Sequence, residues 1–323
     1  MRTHVISPDL HGRIDGTISA NLLSGFPDQS SSRHDCDVIL VPISYFGDFQ
    51  FNPVLKEIDR PYAILDYVEM EWCYFDEKNE THLFGRNTRD CRWLNPHWHA
   101  FCDWVRDHPP AMYFKRELLR SDVSDKVKPI DWPCYLASSP FQSENEFNSR
   151  PIEVFFSWGF SHPSRPRLHA EIFKAMTTHG IGVLSETDQF SGYFKGPCAR
   201  TWASIFSPWY TRKPIADIVW YQARSKMSVS LPGCGKKCFR HSEAPVATIM
   251  ALPLDDLAWS YAWMHGENCI RLVPEREFED LDSATKRDDL YRIYVHSQET
   301  IEKYRTKPYV FDYLIPLIEG VMS

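Results

Sequence analysis

The chain has 323 residues, a formal net charge of -7, and 43% hydrophobic against 24% charged residues. That length exceeds a single small core and predicts two domains of about 150 residues each. The acidic balance argues against a general nucleic-acid binder, whose domains run basic. Aromatic residues make up 14%, with 11 Trp and 20 Phe, enough for large cores and a stacking site.

Nine cysteines, an odd count without a dense framework, read as reduced thiols of a reducing compartment. The opening "MRTHVISPDLHG" has no signal-peptide core. No apolar run approaches the roughly 20 residues that span a bilayer. The expectation is a soluble, cytoplasmic protein with no membrane span.

In chain order, "THVIS", "CDVILVPIS" and "PYAILDY" predict strands. Asn95 caps a helix opened by Pro96, with Trp98, Phe101 and Val105 on one face. "AMYFKRELL" predicts a strand running into a helix. The polar, Ser/Asn/Pro-rich stretch Ala137–Pro151 predicts a domain boundary.

The second half restarts with "IEVFFSWG", a strand ending in glycine, then a helix from Arg167 closed by Gly180, then the strand "IGVLSE". "PIADIVWYQARSK" places Ile215, Ile218, Val219 and Gln222 at helical spacing behind Pro214. "MSVSL" predicts a strand, "HSEAPVATIMAL" a helix and "NCIRLV" a further strand. From Lys286 the pattern is helical, with a break at Pro308. The alternation of short apolar runs and helices predicts two α/β domains, each on a parallel sheet.

The stretch between the "MSVSL" strand and the next helix is built for an anion. Gly233 and Gly235 let backbone N–H groups approach a ligand that a Cβ would block. A helix starting near Ser242 offers unpaired amides and the positive end of its dipole, with Pro245 in the first turn. Lys236, Lys237 and Arg240 add charge for a diphosphate. Glu243 is an acid within this cation cluster. It is either a favourable first-turn acid or the residue that holds a ribose diol, as acids do in dinucleotide folds. "SLPGCGKK" lacks the four-residue gap of a phosphate-binding P-loop. It is also a poor methyltransferase loop, because too little sheet follows it.

These residues carry a resemblance. "FFSWGFSHPSRPRLHAEIF", "SKMSVSLPGCG" and "CFRHSEAPVATIMALPL" resemble the nucleotide-sugar-binding half of GT-B glycosyltransferases, in particular the exostosin-like branch, over roughly residues 151–320. The resemblance implies two Rossmann-like domains facing a cleft. Residues 1–145 would form the acceptor-side α/β domain and 150–285 the donor-binding α/β domain, with C-terminal helices of 286–323 packing across both. It implies that Ser161, Arg165 and Arg167, with Gly233, Gly235, Lys236, Arg240 and Ser242, surround the donor diphosphate. Glu243 would hold the ribose. Pro245 departs from the family pattern.

The first half is similar only loosely, through "SPDLHGRIDG", where Gly12 and Gly16 resemble an acceptor-side loop. A transferase of the inverting type needs a carboxylate within hydrogen-bond reach of the acceptor hydroxyl. Glu69 and Asp66, just past a strand end, and then Asp9, are the candidates. The competing reading for each is a solvated or capping acid.

Other clusters are set aside. His97, His99 and Cys102 lack the i, i+4 ligand spacing of a helical metal pair. Cys234 and Cys238 have no second pair to complete a zinc site. "DCD" at Asp35–Asp37 precedes its strand, and "DLD" at Asp280–Asp282 lies in a charged loop. Trp158 and Trp209 are stacking candidates, with buried packing as the alternative.

The sequence therefore predicts a glycosyltransferase that needs no obligatory metal or other cofactor. It would move a sugar from a nucleotide diphosphate donor to a hydroxyl of a glycan, protein, small molecule or modified nucleobase. The alternatives are a non-catalytic nucleotide or sugar-phosphate binding protein and an S-adenosylmethionine methyltransferase.

Overall fold

The computed structural model describes residues 1–11, 22–43, 50–67, 96–134, 141–158, 167–168, 171, 190–195, 201–206, 215–232, 237, 247–254 and 257–323. The chain divides into two compact units. Unit 1 comprises Met1–Tyr135, Asp256–Tyr261 and Tyr304–Ser323, and unit 2 comprises Leu136–Asp255 and Ala262–Lys303.

Unit 1 is built on five strands: β1 (Thr3–Val5), β2 (Val38–Ile43), β3 (Tyr62–Asp66), β4 (Met112–Lys115) and β5 (Val127–Pro129). They lie in that order, and every neighbouring pair is parallel. A helix, α1 (Pro96–Asp107), enters between β3 and β4. Every residue of β2 and β3 is buried, as a parallel strand covered on both faces requires. Alternation sends Ile39, Val41, Ile43 and Ile64 into one cluster with Phe101, Cys102 and Val105 of α1. Leu40, Leu65 and Phe114 are buried on the other face.

Unit 2 carries a six-stranded sheet made by β6 (Ile152–Trp158), β7 (Phe190–Lys195), β8 (Thr201–Phe206), β9 (Ser225–Val229), β10 (Ile249–Pro253) and β11 (Ile270–Leu272). Its order is β11-β10-β9-β6-β8-β7. All pairs are parallel except β7 against β8. Helix α2 (Glu144–Asn148) precedes β6, and its Ser143 and Glu146 form a complete capping box. Helix α3 (Ile215–Ala223) leads into β9, and α4 (Glu277–Thr285) and α5 (Leu290–Lys303) follow β11. Val154, Met227, Val229, Ile249 and Ile270 of the strands pack with Phe147, Leu281, Leu290 and Ile293 of the helices. The chain is thus an α/β protein with two Rossmann-like parallel-sheet units.

At Tyr304 the chain returns to unit 1. There α6 (Thr306–Tyr309) continues through a π-turn at Val310–Leu314 into α7 (Ile315–Met322). Val310, Leu314 and Ile318 are buried at four-residue spacing, and α7 packs on β4. The π-turn sits just before Pro316, with Ile315 N–H donating to Val310 O. The wider turn accommodates a residue that has no N–H of its own.

Five expectations are corrected. Asp280–Asp282 lie within helix α4 and not in a charged loop. The segment 241–252 is not one helix, because Ile249–Pro253 is strand β10, buried at all five positions. A run that is apolar on every side carries no period to separate a central strand from a buried helix. "AMYFKRELL" gives strand β4 but no helix after it. Arg116 and Glu117 turn inward as a buried pair at 3.2 Å, and only a short 3-10 turn follows at Arg120–Asp122. Pro308 does not break the C-terminal helix. It lies in the first turn of α6, and the break falls at Tyr304–Arg305. No strand was expected at 190–206, where β7 and β8 lie.

Candidate functional site

In unit 2 the anion-loop segment leaves β9 at Val229 and returns to β10 at Ile249. Because β9 and β10 are adjacent and parallel, the chain must exit at the carboxyl edge of the sheet. That is the edge at which open α/β sheets bind ligands. Ser230, Leu231 and Pro232 are buried, and Ser230 N–H extends the ladder to Ala251 O at 2.8 Å. Lys237, one of the three loop cations, is 1% exposed, so it anchors the loop to the interior. Gly233, Gly235, Lys236, Arg240, Ser242, Glu243, Ser161 and Arg165 lie outside the described residues. So do Trp209, Cys234 and Cys238, and the side chain of Trp158.

Arg167 is described, and its surroundings are acidic. Its Nη2 donates to Glu277 Oε1 at 2.6 Å, and Nη1 stands 3.7 Å from Glu275. Burial and the neighbouring Glu277 and Glu279 push the Glu171 carboxyl upward, against the pull of Arg167. A diphosphate at Arg167 would share the guanidinium with Glu277, a partner 110 residues away that no local spacing reveals.

The return of the loop is fixed by a residue that sequence reasoning missed. Arg150, 7% exposed, donates from Nη1 to Ser225 O at 2.5 Å and to Ala247 O at 2.8 Å. Its guanidinium carbon lies 4.8 Å from the ring centroids of both Phe147 and Tyr294. Arg150 thereby joins the amino ends of β9 and β10.

In unit 1, Asp66 closes β3 at the carboxyl edge with no exposed surface. Tyr113 donates to its Oδ2 at 2.5 Å, and Lys115, equally buried, stands 3.1 Å away. Asp9 is 5% exposed, and its Oδ1 accepts the N–H groups of His11 at 3.3 Å and Gln50 at 3.2 Å. Glu69, Gly12 and Gly16 lie outside the described residues.

The same edge holds further buried polar groups with no sequence signal. Tyr67 stacks on Trp132 at 4.4 Å, and the Arg116 guanidinium lies 4.9 Å from the Trp132 ring. Asp131 Oδ2 accepts from Ser260 N–H at 2.7 Å and from its hydroxyl at 2.6 Å. Burial and the Asp131 charge hold the Tyr67 phenol well above its usual range.

Among the described residues, no group of three or more His, Cys, Asp or Glu is placed to hold a metal ion, and no helix is long and apolar enough to cross a membrane. Cys102 lies in the core of unit 1, whereas His97 is exposed. Asp37 sits before β2, where it accepts Arg2 N–H at 2.6 Å.

No protein-family model matches the chain, and no curated protein does. Among solved structures it is similar to an alpha-glucosyltransferase in complex with UDP and a 13-mer DNA containing a HMU base. Identity there is 10% and the TM-score 0.49, over 88% of this chain and 80% of that one. It is similar to OtsA in its apo form, at 10% identity and TM-score 0.45, over 93% and 76%. It is also similar to a putative UDP-N-acetylglucosamine 2-epimerase from Listeria monocytogenes, at 8% identity and TM-score 0.40, over 94% and 78%. Such likeness says nothing of activity, so the chemistry has to rest on the site.

Proposed function

We propose that the chain is a nucleotide-sugar-dependent glycosyltransferase of the GT-B type, close to the exostosin-like branch, that works without an obligatory metal. The observation that supports this reading is that the chain leaves β9 at the carboxyl edge of a parallel sheet, directly before the sequence that holds the two glycines, the cations and Glu243. In this reading Gly233 and Gly235 admit the donor diphosphate to backbone N–H groups. Lys236 and Arg240 neutralise it as it leaves, with Arg165 and Arg167 completing the set and Ser161 and Ser242 supplying hydroxyls. Fixed cations and oriented dipoles of this kind stabilise a departing diphosphate without a metal. Glu243 receives the ribose diol. A carboxylate of unit 1, from Glu69, Asp66 or Asp9, takes the proton of the acceptor hydroxyl.

The test is a thermal-shift panel of UDP, GDP, CDP, their sugars and S-adenosylmethionine on the wild type and on Glu243→Ala. A ligand at about 100 times its dissociation constant stabilises the fold by about 2.7 kcal/mol. One nucleoside diphosphate should stabilise the wild type and fail with the variant. A response to S-adenosylmethionine alone, or to nothing, removes the proposal. Release of nucleoside diphosphate on adding an acceptor then separates a transferase from a protein that only binds.

A further inference from the structure

Ahead of β11 in unit 2 the chain makes a tight turn, closed by Gly266 N–H donating to Cys269 O at 2.9 Å, with Gly266 at φ 75°. The turn is tied to α5, because Arg292 Nη2 donates to Gly266 O at 3.0 Å and Asn268 Nδ2 to Thr300 Oγ1 at 3.0 Å. His265 opens it, and its Nδ1 accepts the Arg271 N–H at 2.9 Å. β11 stands last in the sheet order, beside β10. The outward N–H groups of an edge strand have no neighbouring strand to bond. Here the His265 ring takes the one at Arg271.

A backbone N–H can only donate, so this Nδ1 is bare and the ring is neutral, with its hydrogen on Nε2. His4 and His108 are the reverse. Each presents Nδ1 to a carbonyl oxygen, Ser30 O at 2.8 Å and Trp104 O at 3.1 Å, so each Nδ1 carries a hydrogen. Protonation keeps those two bonds, whereas at His265 it sets a donor against a donor. The surroundings oppose the cation as well. Burial first, then Arg287 of the α4–α5 connection and Arg271 of β11, push the ring pKa below the ordinary 6.5, against the pull of Asp280 in α4. Asp280 already accepts Val273 N–H at 2.7 Å, and Asp289 is shared by Arg287 and Arg292. Glu267, in the turn itself, is exposed.

We propose that His265 is a pH-sensitive latch on the edge of unit 2's sheet. Neutral, the ring caps Arg271 N–H and holds the turn against β11. Protonated, it releases that bond and uncovers the outer side of the strand. A group whose pKa falls on folding contributes fully above its unfolded value of 6.5, and the contribution is lost as pH falls through the folded value. The device uses only unit 2 and stands whether or not the chain transfers a sugar.

NMR of the ring nitrogens reads the tautomers directly. At neutral pH it should find Nδ1 bare in His265 and carrying a hydrogen in His4 and His108. Amide hydrogen exchange, corrected for its intrinsic pH dependence, then follows the latch between about pH 7.5 and about pH 5. Loss of the bond should lower the protection of Arg271 N–H by about two- to tenfold. Ser230 N–H, bonded to Ala251 O in the same sheet, is the reference and should keep its protection. His265→Asn offers a side-chain oxygen near the place of Nδ1 and does not titrate, so its protection at Arg271 should stay level with pH. His265→Ala, with no acceptor, should be as weakly protected at the higher pH as the wild type is at the lower. A hydrogen on His265 Nδ1 at neutral pH overturns the proposal. So does Arg271 protection that stays level in the wild type, or that falls as far in His265→Asn.

Discussion

Replacing Arg150 by Met keeps most of the apolar stem and removes a guanidinium that three neutral oxygens share. These are Ser225 O at 2.5 Å, Ala247 O at 2.8 Å and Gln142 Oε1 at 2.8 Å. Burial pushes the Arg150 pKa down, which expresses how poorly this place solvates a charge. Hydrogen bonds from a charged donor are worth about 1.5–3 kcal/mol each, and each cation–π contact adds about 0.5–2 kcal/mol. Opposing them is the desolvation that the variant no longer suffers. Ser225 O keeps Thr248 Oγ1 as a donor at 3.0 Å, whereas Ala247 O loses its donor. We expect Arg150→Met to cost about 2–4 kcal/mol, most of it from the stranded carbonyl and the lost ring contacts. Arg150→Lys should cost at least as much, since it keeps the buried charge but loses the Nε donor to Gln142 and the planar guanidinium that lies over the Phe147 and Tyr294 rings. Denaturant unfolding gives the magnitude, and hydrogen exchange of peptides across β9 and β10, with β3 as reference, gives the place. A Met variant within about 0.5 kcal/mol of wild type, the range of an ordinary surface change, would refute the reasoning. So would exchange that rises equally in β3.

Three further outcomes are expected. A Cβ on Gly25 would stand 2.8 Å from Thr306 Cγ2 and 3.1 Å from Thr306 O. Gly25→Ala should therefore destabilise unit 1 by about 1–3 kcal/mol through overpacking, read as a lower denaturant midpoint and faster exchange in α6 and α7. Asp289 accepts from Arg287 twice at 2.8 Å and from Arg292 at 2.7 Å, which holds its carboxyl at about 2 instead of the ordinary 3.8. A pKa depressed on folding means that the contribution is complete above 3.8 and is lost as pH falls through about 2. Carboxyl NMR titration of the Arg287→Ala/Arg292→Ala protein should show the midpoint moving up towards 3.8, and an unmoved midpoint would contradict the assignment. Lys115→Met leaves Asp66 as a buried carboxylate without its cation and should cost about 3–5 kcal/mol. Adding Asp66→Asn should recover much of that loss, and a double-mutant cycle with no coupling would dismiss the pair.

The strands most legible in the sequence were those whose apolar runs are bounded by turn residues. "DVILVPIS", "PYAILDY", "IEVFFSWG" and "MSVSL" became β2, β3, β6 and β9. α1 and α3 were legible because each has a proline at or before its first turn and apolar residues at helical spacing. β10 was misread for the opposite reason. "IMALP" is apolar throughout, and only its place between β9 and β11 makes it a strand. The site divides in the same way. A glycine-and-cation loop announces itself locally, because its chemistry is concentrated in a dozen residues. The long-range contacts of Arg167 and Arg150 do not, because Arg167 meets Glu277 across 110 positions and Arg150 meets Ala247 across 97.

Those long-range partners also bear on which acid could serve the proposed transfer. A general base changes its charge during each turnover, so its surroundings must tolerate both states. Asp66 is fully buried 3.1 Å from Lys115 and accepts the Tyr113 hydroxyl, so its charged form is the one this interior is arranged around. Its carboxylate is thus spent on holding β3 and β4 together at their carboxyl ends. Asp9 spends one oxygen on two backbone N–H groups that fix the loop after β1, and this leaves its second oxygen for a hydroxyl. Glu69 stands three positions beyond Asp66 and lies outside the described residues. Within the proposed mechanism the burden of proton removal therefore shifts away from Asp66 and towards Glu69 and Asp9. The strand-end position that made Asp66 attractive in the sequence is the same one that draws it into the buried pair.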